Sequence, residues 1–125
     1  MDISPPPEAD RQLVQAYGNG GFRITNQRYE GAVLVFPERT LAWPVPDFEA
    51  LGLSDFEALR TGNPKVELLL LGTGASMLPL APELAAGIRD WGIVTDAMDT
   101  GAACRTYNVL LLEDRRVAAA LLPIP

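Results

Sequence analysis

The stretch Val66-Glu67-Leu68-Leu69-Leu70-Leu71-Gly72-Thr73-Gly74-Ala75-Ser76 decides the fold. From Lys65 to Leu71 the side chains are almost continuously apolar, which is how a strand buried on both faces reads, since a strand with one wet face would alternate. Such a strand needs a layer above and a layer below, and a parallel sheet covered by helices supplies both. After the Gly-Thr-Gly turn and Leu78-Pro79-Leu80-Ala81 comes Pro82, suited to a first helical position because its missing N–H would have no intrahelical partner there. Leu84, Ile88 and Trp91 follow at i, i+4 and i+7 as one apolar stripe, and Gly92 stops the helix.

Downstream the same alternation of strand and helix continues. Ile93-Val94-Thr95 is a strand. Asp99 or Thr100 can cap a further helix, predicted to run to about Arg116, with Arg115 and Arg116 complementing the carbonyl end of its dipole. Its buried face consists of Ala103, Tyr107 and Leu110 or Leu111. A buried tyrosine needs a partner for its hydroxyl, so Tyr107 is expected to find a backbone carbonyl nearby. Val117 to Leu122 makes a last apolar strand, closed by Pro123 and Pro125.

Upstream, Ser54 and Glu57 have capping-box spacing, which predicts a short helix over about Asp55 to Arg60, ended by Gly62, Asn63 and Pro64. From Leu13 to Val45 short extended runs alternate with turn residues. The runs Leu13-Tyr17, Phe22-Asn26, Ala32-Phe36 and Leu41-Val45 predict a β-meander of about four strands, with Pro44 and Pro46 closing the last. The fold class is therefore α/β. Residues 1–12 are expected to be a disordered lead-in, and residues 13–125 one domain.

Composition narrows the function. With 125 residues, 48% hydrophobic and 21% charged, the chain can build one packed core. Its net charge of −6 and lack of any basic run longer than Arg115-Arg116 argue against nucleic acid as a partner. No apolar stretch approaches the roughly 20 residues that span a bilayer. The first ten residues show neither a secretion signal nor an Arg-rich presequence, and Cys104 stands alone, so the expected location is the cytoplasm.

Without a histidine, Ser/His/Asp and Cys/His nucleophilic arrangements and histidine-ligated metal sites are excluded. Cys104 reads either as a thiolate activated near a helix start or, better, as a small core hydrophobe. The turn Gly72-Thr73-Gly74-Ala75-Ser76 stands where dinucleotide-binding folds cradle a pyrophosphate, but Met77 occupies the place of the third glycine and no Gly-Lys-Ser/Thr follows. A tight turn is the competing reading. Asp96 and Asp99 suit an acid/base pair or a divalent cation, yet no third ligand has a fixed spacing, and helix caps account for them.

Two parallel strands deliver their C-terminal loops to one sheet edge, which would gather Gly72, Thr73, Gly74, Ser76, Asp96, Asp99, Thr100, Arg105, Thr106 and Asn108 around one small polar cleft. A helix N-terminus and Arg105 favour an anion there, whereas two carboxylates oppose it. These opposed charges fit a self-satisfied network of caps better than a phosphate site. Trp43 and Trp91 are core candidates, or interface anchors if exposed.

The segment from Met98-Asp99-Thr100-Gly101-Ala102-Ala103-Cys104-Arg105-Thr106-Tyr107-Asn108-Val109-Leu110 through Glu113 and Arg115-Arg116-Val117-Ala118-Ala119-Ala120 carries a resemblance. So do Gly31 with the strand after it, Trp43-Pro44, and the Leu-Leu-Gly-Thr-Gly turn at 70 to 74. The chain resembles, from about Tyr17 to its end, the mitochondrial complex I assembly factor three family and its uncharacterised bacterial and archaeal relatives. The resemblance implies a three-layer domain with a central mixed sheet flanked by helices, plus the N-terminal β-meander. It also implies a non-enzymatic, protein-binding role linked to assembly of respiratory or other membrane complexes, without catalytic residues or cofactors. The expected partner is another protein, with no metal, no nucleic acid, no direct membrane insertion, and a monomeric or weakly homo-oligomeric state. The alternative is a small-molecule-binding protein or enzyme using the cleft between Gly72-Ser76 and Asp96-Thr106.

Overall fold

The computed structural model describes residues 11–45, 47–61 and 65–125. The lead-in up to Asp10, Pro46, and the helix-ending Gly62, Asn63 and Pro64 lie outside the described residues.

The apolar run becomes β6 (Leu68–Gly72), and its neighbours explain its composition. It pairs in parallel with β7 (Val94–Met98) on one side and with β8 (Val117–Leu121) on the other. β8 continues to β4 (Val33–Val35), antiparallel, and β4 to β5 (Thr40–Ala42), giving a mixed five-stranded sheet in the order β5-β4-β8-β6-β7. Every residue of β8 is buried, as a central strand covered on both faces must be.

Alternate residues of these strands feed two cores. Leu34, Leu69, Leu71, Ala118 and Ala120 face one side, where α1 (Pro82–Arg89) packs through Ile88. Two 3₁₀ segments, Phe48–Ala50 and Leu53–Thr61, complete that layer with Leu51, Phe56 and Leu59. Val33, Val35, Leu70, Val117, Ala119 and Leu121 face the other side, against Ala103, Cys104, Tyr107 and Leu111 of α2 (Thr100–Leu112). The two helices lie on opposite faces because β6-α1-β7 and β7-α2-β8 step across the sheet in opposite directions, and right-handed crossovers then demand it. The result is the expected α/β arrangement of three layers with a mixed central sheet.

The meander differs from its expected form. β1 (Val14–Gly18), β2 (Gly21–Ile24) and β3 (Gln27–Glu30) make a separate three-stranded antiparallel sheet, and with β4 and β5 the N-terminal part holds five strands instead of about four. The run taken as Phe22-Asn26 ends two residues early, because Thr25 and Asn26 form the hairpin turn with φ of 45° and 68°. A β-branched residue is costly in that conformation. Here the Thr25 hydroxyl accepts from Leu13 N and donates to Arg11 O, each at 2.9 Å, which holds the turn. Asn19 and Gly20 make the other turn, also with positive φ, as two-residue hairpins prefer.

Two helix expectations are corrected. The segment predicted as a helix over Asp55 to Arg60 is 3₁₀, and the capping box does not form. Asp55 instead accepts from Gly52 N at 2.8 Å, and Glu57 pairs with Arg60. α2 stops at Leu112, four residues before Arg116, because Asp114 turns the chain left-handed at φ 61°. Arg115 and Arg116 therefore do not sit in its last turn.

Candidate functional site

The C-terminal ends of β6 and β7 form a topological switch point, since adjacent parallel strands there send their chains to opposite faces. In open α/β sheets this crevice is where ligands bind. In this chain it is bridged by hydrogen bonds. Thr73 N donates to Met98 O at 2.9 Å and Thr100 N to Gly74 O at 2.9 Å, tying the two loops together. The Thr100 hydroxyl, fully buried, accepts from Gly74 N at 2.8 Å and donates to Leu122 O at 2.7 Å. Leu122 N in turn donates to Gly72 O at 2.9 Å. The Thr73 hydroxyl donates to Ser76 O at 2.7 Å, with Met98 O 3.2 Å away, and accepts from Leu78 N at 3.0 Å.

Backbone geometry explains both glycines. Gly74 adopts φ +101°, and a Cβ on Gly72 would stand 3.0 Å from the Thr100 Cα and from a Leu121 methyl carbon. Only the smallest residue lets α2 approach β6 this closely.

Asp99 is the N-cap of α2, its carboxylate accepting from Ala102 N at 2.9 Å. Ser76 contributes its backbone carbonyl. The remaining candidates are not gathered here. Asp96 is exposed on the edge strand β7, and Thr106 is half-buried on α2. Arg105 reaches β1, donating to the Tyr17 hydroxyl at 3.0 Å. Asn108 clamps the backbone of Val14, donating from Nδ2 to its carbonyl at 2.8 Å and accepting its N–H on Oδ1 at 3.0 Å. One amide side chain thus does for β1 what a neighbouring strand would do.

Cys104 is buried, and burial pushes its thiol up to about 12, with Asp99 adding to the rise and Arg105 opposing it. That is the opposite of an activated thiolate. Burial raises the Tyr107 phenol as well, and its hydroxyl finds no partner among the described residues, contrary to the expected carbonyl bond. Among the described residues no three His, Cys, Asp or Glu side chains come together as a metal site, and no helix is long and apolar enough to cross a membrane.

Two grooves lie on the other face. One, of about 240 Å³, runs along β5 between Leu41, Trp43 and Ala58, with Asp55 at its edge; Trp43 is buried and donates to Asp55 O at 2.7 Å. The second, of about 230 Å³, lies between Phe48, Leu51, Leu80 and Leu84. The sequence signal for the second is Leu78-Pro79-Leu80-Ala81, too apolar for a connector that only delays a helix.

Residues 14–122 match the family model described as a protein of unknown function, DUF498/DUF598. An uncharacterised protein of Rhodobacter capsulatus is 39% identical over 112 residues, 90% of this chain and 85% of that one. NADH dehydrogenase [ubiquinone] 1 alpha subcomplex assembly factor 3 of Xenopus tropicalis is 31% identical over 92% of this chain, which spans 63% of that protein's length. Among solved structures, a Bartonella henselae protein described as an outer membrane protein superposes with a TM-score of 0.85 at 36% identity, covering 94% of this chain and 98% of its own. A Bordetella parapertussis crystal structure gives 0.84 at 37% identity, covering 94% and 99%. The chain belongs to the DUF498/DUF598 family of proteins of unknown function, and assembly factor 3 proteins are among its homologues.

Proposed function

We propose that this chain is a non-enzymatic protein-binding module of the assembly-factor kind, acting in the cytoplasm during construction of a respiratory or other membrane complex. The observation that carries the reading is the bridged switch point. The polar groups that a cleft would offer a substrate are spent on the backbone: the Thr73 and Thr100 hydroxyls are bonded to it, and Asp99 caps a helix. A buried donor or acceptor that is already paired has little left for a ligand, and unmaking such a bond costs about 1–3 kcal/mol. Assembly factor 3 proteins are among its homologues, which supports the same reading.

The test is purification of a tagged chain from its own cells, with mass spectrometry of what is retained. Recovery of a defined protein at a fixed ratio to the chain is the expected result. A chain that emerges without protein but carries a small molecule in native mass spectra would overturn the reading in favour of a ligand-binding one.

A further inference from the structure

From the groove between Phe48, Leu51, Leu80 and Leu84 we infer a docking site for a basic amphipathic segment of another protein, one that sets apolar side chains beside lysines or arginines. The inference rests on the protein-binding reading and assigns it a surface and a partner chemistry. Three observations carry it. The groove holds about 230 Å³, below the roughly 300–1,000 Å³ of small-molecule pockets, so it suits inserted side chains better than a metabolite.

Its floor is apolar and its surroundings are acidic. Glu49 lies at the lip, Glu83 precedes Leu84 on α1, and Asp47 precedes Phe48, all three exposed. The acidic residues of the 47–61 segment are Asp47, Glu49, Asp55 and Glu57, and its one basic residue, Arg60, is held by Glu57. Neither Glu49 nor Glu83 has a cationic partner among the described residues. An apolar slot with a rim of one sign selects a partner of the other sign, and rim charges act chiefly on association rate and salt dependence.

The third observation is continuity. Pro79 and Leu80 belong to the loop that leaves the bridged end of β6, so the chain that closes the switch point builds the groove next to it. Leu53 extends the apolar surface over Gly87 of α1, where a Cβ would come within 2.9 Å of a Leu53 methyl carbon. Helix-in-groove recognition uses surfaces of this kind.

The probe is a short amidated peptide of leucines and lysines patterned as an amphipathic helix, with its leucine–glutamate counterpart as control. Each is titrated into the full chain while backbone amide NMR shifts are followed. Saturable shifts at Phe48, Leu51, Leu80 and Leu84 with the lysine peptide alone are expected. The double variant Glu49→Lys/Glu83→Lys should weaken that binding at least about tenfold, whereas Glu38→Lys/Glu113→Lys, exposed elsewhere and equal in charge change, should not. Absence of binding, shifts centred on α2, equal binding of the glutamate peptide, or equal loss in both double variants would each overturn the proposal. The two levels separate in cells. If Glu49→Lys/Glu83→Lys retains the same proteins as the wild type on purification, the groove is wrong and the broader reading stands. If the wild type retains none while the peptide fills the groove, the groove stands and the broader reading falls.

Discussion

Asn108 and Tyr107 are neighbours on α2 with opposite fates, and together they separate hydrogen bonding that supports the fold from hydroxyls that do not. Asn108 satisfies both backbone groups of Val14, so Asn108→Ala leaves a strand N–H and C=O unpaired in a half-buried position. A loss of about 1–3 kcal/mol is expected in urea unfolding. Asn108→Asp, which keeps the acceptor but sets a carboxylate oxygen against the Val14 carbonyl, should cost at least as much as Asn108→Ala. Tyr107→Phe should behave differently. Its hydroxyl is buried with no partner among the described residues, so its removal takes away an unsatisfied polar group and should leave stability unchanged or raise it. A measured loss above about 1 kcal/mol would mean that the hydroxyl is paired after all. Thr100→Val tests the bridged crevice, since it unpairs Gly74 N and Leu122 O together. It should cost about 1–3 kcal/mol for each group stranded, more than any single exposed substitution.

Among the elements, strand β6 and helix α2 meet at Gly72, and here the sequence was most legible. The unbroken Leu68 to Leu71 run requires cover on both faces. Cap chemistry with helical period points to a cap at Asp99 or Thr100 and to Ala103, Tyr107 and Leu110 or Leu111 as the buried face, of which the structure takes Asp99 and Leu111. What could not be read were features set by tertiary context. Thr25 in a left-handed turn contradicts local propensity and is held by Arg11 and Leu13, which are distant in sequence. Ser54 and Glu57 have capping-box spacing, but Gly52 N bonds the Asp55 carboxylate, Trp43 Nε1 bonds the Asp55 carbonyl, and the segment is 3₁₀. Arg105 and Asn108 were assigned to the cleft by their nearness to Thr100 along the chain, whereas the helix turns them toward β1. The contact between the two elements also makes a prediction. Gly72→Ala would set a methyl group 3.0 Å from the Thr100 backbone and Leu121, and should destabilise by about 1–3 kcal/mol. Gly52→Ala, with open space around its Cβ, is the matched control and should change stability little.

At the scale of the whole molecule, Cys104 reports on how the two cores open. Its thiol is buried in the α2-side core, and burial holds its pKa near 12 against an ordinary value of about 9. Below pH 9 the thiol is neutral in folded and unfolded chains alike, so its share of stability is intact. Between pH 9 and 12 the unfolded chain releases a proton that the folded chain keeps, so unfolding is favoured as pH rises, by up to about 1.4 kcal/mol per pH unit. Urea unfolding of wild type and Cys104→Ala across this range should therefore converge: the variant begins less stable through its lost packing and declines less steeply. The phenol of Tyr107 adds to the decline in both proteins and cancels in the comparison. At neutral pH a thiol reagent should reach Cys104 only through opening. Where labelling is proportional to reagent concentration, the opening free energy it gives should equal that of urea unfolding, and where labelling outpaces reclosing the rate should level off at the unfolding rate. An opening free energy from labelling well below that from urea unfolding would show that α2 lifts from the sheet without global unfolding. The bridge through Thr100 would then be a latch, since Thr100→Val would accelerate labelling out of proportion to its effect on urea stability.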